Sequence, residues 1–423
     1  MTDPKTFRET IRPTLYTNMF LGIGIFEFSN KTRVKPFAEK IYACCCLVMM
    51  ELCYYMTVTT SMYFKLPLQA AGSKMVILRP MMWYTVMYQS ACLIVIMARR
   101  KPEFSIAQVF RKVIHLIEEN DRRMEAIGLS RDYRSVYNYQ IRSICCFILI
   151  FVCSQLYTWQ RSLAPSLPLY VKIVNCFSLH IVSIICLTTN FTFCFWIRYV
   201  WLKFDQLNHL LMKMIEALDP PKQKRFLETT DDLEVKRSED NDDALLFDTD
   251  TVKKIKKSHL ALIRIAKQIS AFYGVQILLT STIILVRLVI LFYVCNKMMW
   301  YPPPDDQLLP QILDLMLFSL INLSMVYMVH HICTKTSYKA AETGDLLCRL
   351  YNSSTTIEFR DEIRRFTTQV LQNPLLFSIC GLVDLDGSFI LNALGNMFGY
   401  MIMLIQMETQ RLRTRMQKNS TEV

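Results

Sequence analysis

The side chains that usually carry out catalysis or bind metals occur in this sequence without the spacing that such chemistry requires. His330 and His331 are adjacent, and the other histidines stand alone. The chain contains no P-loop, HExxH, GxSxG or glycine-rich dinucleotide motif. Its cysteines lie mostly in apolar runs and lack the spacing of a zinc site. We therefore predict that the protein is not an enzyme and holds no metal and no cofactor.

Polar and small residues form a regular pattern in an apolar stretch near the C-terminus. Residues three or four positions apart share one face of a helix, and this spacing connects Ser388, Asn392, Asn396, Gly399, Met403 and Gln406. Polar groups inside a membrane face protein or water rather than lipid. The stripe therefore predicts a helix that lines a pore built from several copies. The alternative is close helix packing, because Gly395 and Gly399 have the GxxxG spacing.

A second group of residues could bind a small molecule. Ligand pockets are mostly apolar and carry a few placed polar groups, and both kinds lie in the predicted outer halves of the membrane helices: Trp83, Tyr84, Tyr88, Gln155, Trp159 and His180. Arg287 and Asp314 lie in the same half and could line this pocket or pair as a structural ion pair. Arg287 could instead extend its guanidinium outward to the membrane interface. An aromatic belt at the membrane interface is the other reading of the aromatic residues.

The composition indicates what kind of structural elements position these residues. Apolar residues make up 52% of the 423-residue chain, mean hydropathy is +0.23, and charged residues make up 20%. The net charge of +12 would suit a nucleic-acid binder, but the basic residues lie in blocks between long apolar runs. This pattern is typical of a multi-pass membrane protein. We predict a lipid bilayer as a partner and no nucleic acid.

Seven stretches approach the length of about 20 apolar residues that a helix needs to cross a bilayer. The predicted spans one to seven are 41–64, 75–98, 141–160, 169–197, 269–296, 308–333 and 389–407. A further apolar run, 371–383, is too short and is broken by Asn373-Pro374. We predict that it forms a re-entrant or cytoplasmic helix that leads into the last span.

The distribution of basic residues predicts the orientation. Most of the 48 lysines and arginines lie before span one and after spans two, four and six. Because cytoplasmic loops carry the excess of Lys and Arg, the N-terminus is predicted inside and the C-terminus outside. The sequon at Asn419 would then lie on the outer side.

Apolar stripes continue beyond spans four and five on the predicted inner side. One stripe contains Phe204, Leu207, Leu211, Met214 and Leu218, and a second contains Ile255, Leu262 and Ile269. These helical extensions predict a cytoplasmic anchor. The acidic stretch 228–250 between them is predicted to be a solvated loop.

The predicted fold is therefore an all-α membrane protein with seven transmembrane helices and a cytoplasmic anchor. Its segments are a cytoplasmic N-terminal segment (1–40), spans one to four (41–200), the helical extensions (201–267), spans five and six (268–335), a cytoplasmic segment with a short pre-pore helix (336–385), the pore-lining helix (386–407) and an extracellular tail (408–423).

Near the C-terminus the chain has Gly399-Tyr400, then Met-Ile-Met-Leu-Ile, then Gln406-Met407. This run resembles the signature of the insect gustatory receptor family, which is Thr-Tyr, five apolar residues and Gln-Phe. The resemblance covers about the last sixty residues. Residues upstream also look like the family's approach to its last span: Phe366, Gln369, Pro374, Phe377, Gly381 and Leu385. The chain departs from the signature at Gly399 and Met407.

The resemblance implies a tastant-gated, non-selective cation channel of the sensory-neuron plasma membrane. It implies a homotetramer, or a heterotetramer with related subunits, in which the last helix of each subunit lines the pore. The family's gate corresponds to Gln406 and Met407 here. The family's tastant pocket lies in the outer half, among spans two to six.

A G-protein-coupled receptor for a small molecule is the alternative seven-span class. It would have the opposite orientation, and its Asp/Glu-Arg-Tyr motif is replaced here by Tyr139-Gln140-Ile141-Arg142 at the inner end of span three. A secondary transporter would show paired repeats, which the sequence lacks.

Overall fold

A computed structural model of the whole chain describes residues 6–21, 106–162, 169–218, 249–300, 308–353, 356–379 and 387–421, together with single positions between 41 and 55 and residues 381 and 383–385. These residues are almost entirely helical. The helices are α1 (Phe7–Thr10), α2 (Arg12–Phe20), α3 (Ile106–Glu125), α4 (Tyr133–Ser162), α5 (Leu169–Leu218), α6 (Thr249–Trp300), α7 (Leu308–Ser353), α8 (Ile357–Gln372) and α9 (Gly387–Thr421). Two short strands, β1 (Ser378–Ile379) and β2 (Val383–Asp384), precede α9.

The predicted spans three to seven lie on α4, α5, α6, α7 and α9, whereas spans one and two lie almost wholly outside the described residues. Among the described residues, one helical stretch, Thr249–Thr282, is both long and apolar enough to cross a bilayer. The all-α class is confirmed. The number of spans and their orientation stay predictions.

Helices α5 and α6 are much longer than a bilayer is thick. They contain 50 and 52 residues, and at 1.5 Å per residue each is about 75 Å long, against a hydrocarbon core of about 30 Å. Both continue without interruption beyond the predicted spans. The helical extensions predicted from the apolar stripes are therefore present.

The extensions converge in one large hydrophobic core, which we call the basal core. It is formed by α3, residues 193–215 of α5, 252–277 of α6, 329–350 of α7, and α8, together with Leu375, Phe377, Ile379 and Leu385 beyond α8. Seven of the eight predicted stripe residues are buried there, with Phe204, Leu207 and Ile255 fully inaccessible to solvent, and Leu218 packs half-buried against them. Burial of a large apolar side chain contributes about 1.5–3 kcal/mol, so the stripes explain why these helices associate.

A buried carboxylate connects three helices within the basal core. Asp121 of α3 accepts hydrogen bonds from the hydroxyls of Tyr133 (2.7 Å) and Tyr199 (2.5 Å). The Lys203 ammonium lies 3.1 Å from its other oxygen, and both side chains of this ion pair are almost fully buried. Burial, the charge of Asp121 and the hydrogen bond to it raise the pKa of Tyr133 well above its ordinary value. The phenol therefore stays neutral and remains a donor.

The N-terminal helices pack into the same core. Thr6 caps α1, because its hydroxyl accepts a hydrogen bond from the Glu9 amide (3.2 Å). Phe7 is fully buried, and its ring centroid lies 4.6 Å from that of Tyr199. Further along, the Asn18 amide donates to the Thr192 hydroxyl (3.0 Å). The segment 6–21 is thus an integral part of the basal core.

The prediction of a helix over the apolar run 371–383 is wrong. Helix α8 ends at Gln372, and Asn373 leaves the helical region (φ −124°, ψ 64°). The following Pro374 disfavours the helical conformation at Asn373. Beyond it, β1 and β2 pair antiparallel as a hairpin, and Gly381 between them has φ +70°, which favours glycine.

The buried ion pair yields a stability prediction. We expect Asp121→Asn and Lys203→Met each to destabilise the protein by about 3–5 kcal/mol, because each leaves one buried charge without its partner. The double variant should lose much less folding stability than the sum of the losses in the two single variants. The midpoint of thermal unfolding of the detergent-solubilised protein measures this.

The exposed pair between Arg123 and Glu119 provides the control, since both side chains are about 40% exposed. Arg123→Gln should cost less than about 1 kcal/mol. Additive losses in the Asp121/Lys203 double variant would contradict a coupled buried pair.

Candidate functional site

The predicted pore residues lie on one continuous helix, α9. It contains 35 residues and is about 52 Å long. The helix therefore covers the whole predicted span 389–407 and continues through the predicted tail as far as Thr421. It begins directly after the hairpin, because the paired strands end at Asp384.

One face of α9 packs against its own subunit. Met397 is 6% exposed and belongs to a small apolar cluster with Ile284, Leu288 and Val326. The Phe398 ring lies 6.3 Å from the Phe292 ring of α6. Three further half-buried side chains lie within about 80° of Met397 around the helix axis: Met401, Leu404 and Ile405. Helices α6 and α7 thus support this packed face.

The predicted stripe occupies the opposite face. At about 100° per residue, its members lie about 180° to 260° around the axis from Met397. All six are exposed: Ser388, Asn392, Asn396, Gly399, Met403 and Gln406. The side-chain amides of Asn392, Asn396 and Gln406 form no hydrogen bond with another residue in the described part of the chain. We call this surface the polar face of α9.

The two glycines of the GxxxG pair also lie on or beside the polar face. A Cβ atom added at Gly395 or Gly399 would have no heavy atom within 4 Å. Close packing of these glycines against another described helix of the same subunit is therefore excluded. If they serve close packing, the partner helix must come from outside the described part of the subunit.

The predicted gate residues lie at the same level of α9 but not at the same angle. Gln406 lies at about 180° from Met397, within the polar face. Met407 is 51% exposed and lies at about 280°, at the border of this face. Tyr400 of the family motif lies on the same border and is 61% exposed.

The hairpin connects the start of α9 to the basal core. The Leu385 amide donates to the Phe377 carbonyl (2.7 Å), and both side chains are buried. The Ser270 hydroxyl of α6 donates to the Ser378 carbonyl (3.4 Å). These contacts hold the entry to α9 against α6. The apolar pattern predicted a helix here rather than a hairpin, and the sequence signals that favour a chain reversal are Pro374 and Gly381.

The predicted ligand residues are not brought together by the described structure. Trp83, Tyr84 and Tyr88 lie outside the described residues. The others lie on described helices, but their side chains are outside the description: Gln155, Trp159, His180, Arg287 and Asp314. Among the described residues, no group of three or more His, Cys, Asp or Glu is arranged to hold a metal ion.

Comparison with known proteins identifies the family. Residues 11–411 match the model of a family described as 7tm Chemosensory receptor. The fold is similar to that of the insect olfactory receptor OR5 from Machilis hrabei, determined in complex with eugenol. The TM-score is 0.57 at 11% identity, and the match covers 95% of this chain and 98% of that chain. A comparison with curated proteins finds no match.

The family match covers nearly the whole chain, and the structural match shows the fold of an insect seven-transmembrane receptor. These findings confirm the resemblance seen in the C-terminal motif at the level of the receptor family, and they do not favour the G-protein-coupled alternative. The chain belongs to the 7tm chemosensory receptor family.

Proposed function

We propose that the chain is a subunit of a tastant-gated, non-selective cation channel in which four copies of α9 surround a central pore. The observation that carries this proposal is the opposition of the two faces of α9. Met397 packs against the subunit, whereas Asn392, Asn396 and Gln406 point away from it.

The physical argument rests on the cost of leaving amide groups in hydrocarbon. A polar group that loses its hydrogen bonds in an apolar medium costs several kcal/mol. In an isolated subunit the polar face of α9 would meet lipid. In an assembly around an axis the same face meets water and other copies of itself. The number of copies, as a homotetramer or a heterotetramer with related subunits, is taken from the family resemblance.

The ligand is proposed to be a small molecule bound in the outer half of the subunit. The structurally similar olfactory receptor was determined in complex with eugenol, which supports a small-molecule ligand. The candidate contact residues are those predicted from the sequence: Trp83, Tyr84, Tyr88, Gln155, Trp159, His180, Arg287 and Asp314. A taste function, as opposed to another chemosensory modality, rests on the C-terminal motif.

Gating follows from differential affinity. A tastant that binds the open arrangement more tightly than the closed one shifts the population toward open. In the closed state, copies of Met407 form an apolar ring that excludes ions by dewetting. When the helices separate, the amides of Gln406 meet hydrated cations. Because the hairpin and Met397 tie α9 to α6, a displacement of α6 is transmitted to the gate.

The proposed location is the plasma membrane of a sensory neuron, with the basal core on the cytoplasmic side. In this orientation α5 and α6 extend about 30 Å or more beyond the inner boundary. The segment 228–250 then lies in the cytoplasm, and the end of α9 lies outside.

Substitution of the gate methionine tests the channel mechanism. We expect Met407→Ala to raise the ligand-free current, because a smaller apolar ring no longer excludes water. Whole-cell recording with normalisation to surface expression measures this current. Met401→Ala is the matched control, since the same residue type lies on the packed side of α9. Unchanged ligand-free current in a surface-expressed Met407→Ala protein would contradict the gate assignment.

Glycosylation tests the orientation. Asn419 and Asn30 both lie in Asn-x-Ser/Thr sequons, and the proposed topology places only Asn419 outside. We expect the protein from cells to shift in gel mobility on treatment with an N-glycosidase, and Asn419→Gln to abolish this shift. Asn30→Gln should retain it. A shift that depends on Asn30 would place the N-terminus outside and overturn the proposed orientation.

A further inference from the structure

We propose that the exposed face of α6 just before the predicted fifth span binds an inner-leaflet lipid with a phosphorylated inositol headgroup. The face is formed by Lys253, Lys257, Arg264 and Lys267, and we call it the basic face of α6. The proposal rests on the orientation proposed above, which places this face on the cytoplasmic side.

The arrangement of α6 presents these four side chains together. Lys253, Arg264 and Lys267 lie within about 80° of Lys257 around the helix axis, and all four are exposed. The opposite face is buried in the basal core, where Ile255, Leu262 and Ala266 are at most 1% exposed. Burial of one side therefore fixes the direction of the other, and the cations are held in one line.

The positive charge of this line exceeds the acidic charge of α6 itself, where Asp250 interacts electrostatically with Lys253 and Lys257. Helix α6 contains no acidic residue beyond Asp250. Two lysines outside the basic face are paired, since Lys254 lies 2.9 Å from Asp250 and Lys256 lies 2.5 Å from Glu362. In the described part of the chain, none of the four residues of the basic face forms an ion pair.

The position along α6 matches a membrane surface. At 1.5 Å per residue, Lys267, Arg264 and Lys257 lie about 3, 7.5 and 18 Å before the predicted boundary at Ile269. Beyond the boundary the same face becomes apolar, with Ala271 exposed and with Val275 and Leu278 half-buried. A phospholipid complements this order, because its anionic headgroup is followed by apolar chains.

Two neighbouring helices carry cations at a similar level, but aromatic rings already cover them. The Arg198 guanidinium lies 4.0 Å from the Tyr139 ring centroid, and the Lys335 ammonium lies 4.7 Å from that of Trp201. Such contacts stabilise a cation in place. Among the described residues, no aromatic ring covers a cation of the basic face of α6, so this face presents four exposed cations along one helix near the boundary.

The length of the basic face along the axis of α6 favours a lipid whose headgroup extends far from the bilayer. The headgroup of phosphatidylserine stays near the membrane plane and would reach Lys267 and Arg264. An inositol ring with additional phosphates extends further from the bilayer, toward Lys257. Arginine suits phosphate because its guanidinium donates two parallel hydrogen bonds. Basic residues adjacent to a transmembrane helix attract such headgroups.

Binding of labelled lipid to the purified full-length protein tests the proposal. The probe is fluorescently labelled phosphatidylinositol 4,5-bisphosphate in detergent micelles, and fluorescence anisotropy gives its apparent Kd. We expect Arg264→Gln/Lys267→Gln to weaken binding by about tenfold or more, because two phosphate contacts are lost. Arg264→Lys/Lys267→Arg, which keeps both charges, should bind within about threefold of the unaltered protein.

Arg364→Gln/Arg365→Gln on α8 is the matched control. It removes two exposed cations from another helix of the basal core. The apparent Kd of this variant for the labelled lipid should stay within about threefold of that of the unaltered protein. Labelled phosphatidylserine should bind at least about tenfold more weakly than the phosphoinositide. Elution profile and thermal midpoint verify that each variant is folded.

Three results would overturn the proposal: unaltered binding to Arg264→Gln/Lys267→Gln, equal weakening by the α8 control, or equal binding of phosphatidylserine. Binding in micelles requires neither a pore nor a ligand response, so this test and the tests of the proposed function can fail independently.

Discussion

An apolar helix with amides along one face is stable in a membrane only where that face meets water or protein. Helix α9 carries amides along one face. Its other face packs against its own subunit, where Met397 contacts the cluster around Ile284 and Leu288. The two faces are separated by about half a turn of the helix. In the proposed assembly around an axis, the exposed amides of Asn392, Asn396 and Gln406 would face water or the other copies of α9.

The basal core provides the rigid support that such an assembly needs. Helices α5, α6 and α7 pass from the predicted membrane region into it without interruption. The buried carboxylate of Asp121 connects α3, α4 and α5 through specific hydrogen bonds. The hairpin fastens the start of α9 to α6. The basic face of α6 lies between these two regions, where a bound lipid would act on the helix that supports α9.

The sequence predicted those parts of the fold that follow from helical periodicity. The stripe through Phe204 and Leu207 is buried as expected, and the polar face of α9 follows from spacings of three and four residues.

The sequence did not predict contacts between distant segments, such as Phe7 against Tyr199 or Asp121 against Lys203. No local pattern encodes these pairs, although Thr6 and Glu9 have the spacing of a helix cap. Hydropathy does not distinguish the hairpin from a short helix, because both bury apolar side chains, and only Pro374 and Gly381 favour a chain reversal here. Whether the candidate ligand residues form one pocket depends on how several spans pack against each other. Periodicity along a single helix does not determine that packing.

The accessibility of single cysteines along α9 tests the wet polar face most directly. A cationic, membrane-impermeant thiol reagent is applied during ligand-evoked current, with the unaltered protein as the background for its 15 native cysteines. Loss of current is predicted for cysteines on the polar face, at Asn392, Asn396, Gly399 and Gln406. No loss is predicted for cysteines on the packed side, at Met397, Met401 and Leu404. Modification without this helical periodicity, or its absence at every polar-face position, would contradict a water-filled path along α9.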